Sequence, residues 1–102
     1  MNAVAIPKSA ARILTEITGE SRFEVALWIA LRDILVHKLE EIETSIRHFE
    51  EKYKMSFHEF KALCEKEEFP NQYSFEVESE FLEWEALCSR KSKIEEFQKC
   101  LP

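Results

Sequence analysis

From Ser21 to Tyr53 the chain reads SRFEVALWIALRDILVHKLEEIETSIRHFEEKY, a run with neither glycine nor proline. Its apolar residues begin at Phe23, Ala26, Leu27, Ala30, Leu31 and Ile34. They settle into alternate steps of four and three at Leu35, Leu39, Ile42, Ile46, Phe49 and Tyr53. That spacing predicts one helix with a coiled-coil-like seam. At ~1.5 Å per residue a helix over Arg22 to Tyr53 is about 48 Å long, well beyond the ~30 Å of a small compact domain. The distal stripe therefore needs a second long helix as cover, either from the same chain as a hairpin or from a second subunit. Leaving so many large apolar side chains in water is costly, so the seam Leu35, Leu39, Ile42, Ile46, Phe49 and Tyr53 is also the expected self-association surface of a homodimer.

Working outward, Ser21-Arg22-Phe23-Glu24 is a capping box at the start of this helix. Ser56-Phe57-His58-Glu59 is a second one, with Met55 and Phe60 placed as a hydrophobic staple. Ser21 and Ser56 are thus the expected N-caps. The break at Lys54 lacks the glycine usual at a helix end, which predicts a kink there. The third helix should end near Glu68, because Pro70 disfavours helix at Phe69. Upstream, a short helix follows Pro7, carries Ala10, Ile13, Leu14 and Ile17, and stops at Gly19. Downstream, Asn71 to Ser74 reads as a loop. A last helix from about Phe75 to Cys100 carries Val77, Phe81, Trp84 and Cys88 and then, after a register shift, Leu87, Ile94, Phe97 and Leu101. The expected architecture is all-α: a short N-terminal helical pair, a long central helix and a coiled-coil-like hairpin. Residues 1–35 would form a dimerisation segment and residues 36–102 an acidic, partner-binding hairpin.

Composition agrees. One glycine and three prolines in 102 residues leave too little turn chemistry for a sandwich or a parallel sheet. The net charge of −6 is unevenly placed. Residues 1–40 carry 5 basic and 5 acidic groups, and residues 41–102 carry 9 and 15. An acidic back half is a poor phosphate binder and suits a basic partner. Cys64, Cys88 and Cys100 include no C-x-x-C pair and sit at apolar helical positions, so reduced thiols filling a core are expected. No stretch is apolar for long enough to span a membrane and no signal peptide opens the chain, which points to the cytoplasm.

Catalytic chemistry finds no footing. His37, His48 and His58 lack metal-ligand spacing, Asp33 is the one aspartate, and no glycine-rich loop exists. A non-catalytic protein without metal or cofactor is expected. The densest charge is Glu76, Glu78, Glu80, Glu83 and Glu85, interleaved with Phe75, Val77, Phe81, Leu82 and Trp84. Glu76, Glu80, Glu83, Trp84 and Glu85 are the candidate partner-binding residues, a large aromatic among carboxylates that steer a basic surface. Because Trp84 shares the stripe of Val77 and Phe81, its ring is expected mainly inside the protein. Trp28 lies beside the main stripe, which makes it a candidate anchor at a subunit contact.

Two stretches resemble known families. Ile13 to Leu35, ILTEITGESRFEVALWIALRDIL, resembles the "L-T-G-E-S … E-A-V … A-L" stretch of VapB-type ribbon-helix-helix antitoxins. That resemblance implies a strand before the first helix, here Ala3 to Ile6, pairing with its twin and entering operator DNA as an autoregulating repressor. Lys8, Arg12 and Arg22 would then lie near phosphates. Phe49 to Phe60, FEEKYKMSFHEF, and Tyr73 to Leu87, YSFEVESEFLEWEAL, resemble small uncharacterised prokaryotic proteins that read "F-E-x-K-Y-G-M-S-F-E-E-F … Y-E-V-E-x-D-x-x-E-W-E". Lys54 stands where that pattern has glycine. The resemblance implies one half of a toxin–antitoxin pair, a regulatory antitoxin that binds and neutralises a small, basic, toxin-like protein.

Overall fold

The computed structural model describes residues 5–102, and all of its regular structure is helical. Helix α1 spans Lys8–Thr18, α2 Phe23–Tyr53, α3 Phe57–Glu65 and α4 Phe75–Cys100. Three contacts fix how α2 and α4 run. Lys52 meets Glu76 and Glu80, Glu43 meets Lys91, and Arg32 donates to the main-chain oxygen of Pro102. Numbers fall along α2 as they rise along α4, so the two helices form an antiparallel hairpin. The molecule measures 57 × 31 × 23 Å with a radius of gyration of 19.7 Å, against the ~13 Å of a compact chain of this length. It is a rod, with α1 packed on α2 near one end and α3 near the other.

The seam found in the sequence is closed within the chain. Ile42, Ile46 and Phe49 of α2, Phe60 of α3, and Trp84 and Ile94 of α4 form one buried core. Leu35, Leu39 and Tyr53 pack against it half-buried. Cover comes mainly from α4, the longest of the other three helices, so Ile42, Ile46 and Phe49 are filled within the chain. Trp28 belongs to the same stripe. It stands seven residues before Leu35, fourteen before Ile42 and twenty-one before Phe49, so it continues the seam and does not lie beside it. Because α4 ends at the level of Arg32, Trp28 emerges from under its cover and is 38% exposed.

The helix ends show which local rules won. At α3 and α4, Ser56 Oγ accepts from the Glu59 N–H and Ser74 Oγ from the Val77 N–H, at 3.2 Å in both cases. At α2 the expected Ser21 cap is not made. The Arg22 carbonyl accepts the first helical hydrogen bond, from Ala26, so the helix begins one residue later and Arg22 is its N-cap without a side-chain bond. Gly19 ends α1 in the left-handed conformation, φ 73°, as its type suggests. Helix α3 stops at Glu65, short of Glu68. There the Glu68 N–H bonds the Leu63 carbonyl and the Glu67 N–H the Cys64 carbonyl, a Schellman closure with Glu67 left-handed at φ 57°. A single non-glycine residue also turns the chain out of α2: Lys54 sits at φ 57°. A side chain in that region costs about 1 kcal/mol or more relative to glycine. Lys54→Gly is therefore expected to raise stability by about 1 kcal/mol in urea melts, with an unchanged denaturant slope. A neutral or destabilising result would show that the Lys54 side chain contributes more than its backbone costs.

Candidate interaction surface

The α3–α4 corner is built around one ring. Trp84 is fully buried. Its centroid lies 5.5 Å from Phe49, 5.8 Å from Tyr53, and 5.3 Å from both Phe57 and Phe60. Phe60 extends the cluster to Phe69 at 4.8 Å and Phe81 at 5.8 Å. Placement of Trp84 in the core follows its stripe. A ring with no exposed surface is not available to touch a partner, so Trp84 leaves the set of contact candidates.

The carboxylates named from the sequence divide into two groups. Glu76 and Glu80 both accept from Lys52 of α2, Glu76 at 2.9 Å. This clamp holds the Lys52 ammonium above its ordinary range and pulls the Glu76 carboxyl below its own. Glu85 lies 3.7 Å from Lys61 of α3. These three carboxylates hold the hairpin and α3 together at the surface. Glu83, one turn beyond Glu80, is exposed and makes no ion pair among the described residues, and the same is true of Glu78. The sequence puts Glu76, Glu80 and Glu83 on one side of α4, but it does not say that Lys52 closes over two of them.

The side of α4 facing away from α2 carries what the sequence reading passed over. Phe75, Glu78 and Leu82 follow one another in steps of three and four and thus share a face. Phe75 is 86% exposed and Leu82 64%, and Tyr73 just before the helix is 68% exposed. Beside them lies a groove of about 280 Å³ lined by Cys64, Gln72, Val77, Glu78, Phe81 and Leu82. Gln72 sets its wall. The Gln72 amide donates to the Cys64 carbonyl at 3.0 Å and accepts from the Phe69 N–H at 3.1 Å, which ties the α3–α4 loop to the end of α3. Both half-buried thiols, Cys64 and Cys88, are pushed up by burial and stay protonated, whereas Cys100 is exposed and is not the core filler its position suggested.

At the other end of the rod, the three basic residues tied to operator binding are spread over α1 and its turn. Lys8 opens α1, Arg12 pairs with Glu16 at 3.0 Å, and Arg22 lies 3.6 Å from Glu20. Of the expected strand Ala3 to Ile6, residues 3 and 4 lie outside the described residues. Ala5 and Ile6 are not in a strand, and no strand occurs among the described residues. No cluster of three histidine, cysteine or acidic side chains suited to a metal ion is found among them. No helix among them is long and apolar enough to cross a membrane.

Neither a curated protein nor a solved structure matches the chain. A family model does, over residues 10–101, which takes in all four helices apart from the first two residues of α1 and includes the groove, the Lys52 clamp and the aromatic core. The chain belongs to the Uncharacterized protein MJ0235 family.

Proposed function

We propose that this chain is a non-catalytic binding protein that captures a small basic protein, in the manner of an antitoxin, at the α3–α4 corner. One observation carries the reading: an apolar groove flanked by the exposed Phe75 and Leu82 stands on the acidic half of the rod, with Glu78 in its wall. Large apolar side chains in a shallow pocket give affinity, and surrounding carboxylates give attraction to a basic surface. The contact set is thereby moved one face round α4, to Phe75, Glu78, Leu82 and Glu83, with Glu76, Glu80 and Glu85 supporting it through their lysines. A second reading, operator binding through Lys8, Arg12 and Arg22, has less behind it, because Arg12 and Arg22 already face carboxylates.

The test uses the adjacent reading frame in the source genome. Its product, co-expressed with this chain, is expected to co-purify as a defined complex and to lose any growth-inhibiting effect. A neighbour that neither binds nor is neutralised would overturn the antitoxin reading. Retardation of the upstream DNA, steeply weakened by salt, would favour the second.

A further inference from the structure

We propose that a second copy of this chain covers the apolar face formed by α1 and the first third of α2. Helix α1 is strongly amphipathic, yet none of its residues is buried. Ile13 is 54% exposed and Ile17, one turn on, 79%. On α2, Trp28, Leu31 and Ile34 are spaced by three and are 38%, 36% and 54% exposed. Trp28 and Leu31 lie beyond the end of α4, so the stripe that α4 covers over most of its length continues at this end of the rod only partly covered.

Size and charge both select the occupant. At ~100–120 Å² of apolar area per large side chain, and with Ile6 at 45% exposed nearby, the exposed apolar surface is on the order of 300–370 Å² per chain. A standard interface takes ~800 Å² from each partner, of which ~60% is apolar, so the patch supplies roughly two-thirds of the apolar area that one side of a stable dimer needs. Residues 1–40 carry 5 positive and 5 negative charges, and Arg12 and Arg22 on this segment are already paired. Such a surface offers little to a highly charged partner and meets its own copy without repulsion. A two-fold contact here stacks two α1–α2 pairs into a four-helix arrangement. The interface differs from the Leu35 to Tyr53 seam, which the chain fills by itself.

Sedimentation equilibrium on the purified full chain at about 1–200 µM, the range that resolves micromolar association, tests this. The expected species is a dimer of twice the 12.1 kDa chain mass. The double variant Ile17→Glu/Leu31→Glu is expected to weaken it at least 100-fold while keeping its far-ultraviolet helical signal, since both side chains are exposed. Phe75→Glu, at the far end, is expected to leave it unchanged. Amide exchange in residues 8–36 of the wild type should slow as concentration rises. A monomer throughout, a dimer that survives the double variant, or one lost only in Phe75→Glu would each overturn the proposal, the first by showing that the face is bare or awaits a different protein.

Discussion

Replacing Trp84 with alanine is expected to lower the unfolding free energy by about 3–5 kcal/mol, the usual cost of removing a large buried aromatic. Single domains carry about 5–15 kcal/mol in total, so this one change consumes much of the margin. The magnitude follows from position: the ring contacts Phe49 and Tyr53 of α2, and Phe57 and Phe60 of α3, so all three principal elements lose contacts together. Trp84→Phe is the informative companion. The indole Nε1 is buried without a hydrogen-bond partner, and an orphaned donor of this kind costs about 1–3 kcal/mol. Phenylalanine removes that donor while keeping most of the ring, so its loss is expected to be less than half of alanine's. Urea melts followed by far-ultraviolet circular dichroism read both values. A loss below about 1 kcal/mol for the alanine variant would show that the corner is not held by this ring.

Those rings were legible in the sequence because the periodic signal is long. From Leu35 to Tyr53 the four-and-three alternation runs without a helix breaker, and Val77, Phe81 and Trp84 repeat it on a second helix of sufficient length. The hairpin follows once one asks what can cover the first stripe. Helix ends were less legible where the residue type does not announce the conformation. Lys54, Glu67 and Asn71 all sit at φ 57°, where glycine would have signalled a turn. The contact surface was the least legible part. Glu76 and Glu80 look free on a helical wheel, and only the register between α2 and α4 brings Lys52, 24 and 28 residues away, over them. The groove draws Cys64 from α3, Gln72 from the loop and Val77 and Leu82 from α4, a convergence no local spacing encodes. Trp28 stands apart from the unbroken alternation that begins at Leu35, and only the seven-residue step to Leu35, Ile42 and Phe49 places it on the seam.

If the α3–α4 corner captures a basic protein, the double variant Phe75→Asp/Leu82→Asp is expected to weaken the complex with the neighbouring gene product by about 100-fold or more. Two apolar anchors in or beside a groove are of the kind that carry most of an interface's energy, and loss of such contacts appears mainly as faster dissociation. Fold is not at stake, since the two side chains are 86% and 64% exposed and outside the aromatic core. Charge reversal at Glu78 and Glu83 should act differently. These carboxylates make no internal ion pair among the described residues, so their reversal slows association at low salt. The difference should fade towards 1 M salt, where the Debye length falls to about 3 Å. Reversal at Glu76 and Glu80 is the control that separates steering from scaffolding, because it also breaks the Lys52 clamp and should loosen the corner whether or not a partner is present. Stopped-flow association and dissociation rates across a salt series distinguish the three variants. An unchanged affinity in a correctly folded Phe75/Leu82 variant would remove the groove from the interface, and an on-rate indifferent to Glu78 and Glu83 would leave the acidic half as a solubilising surface alone.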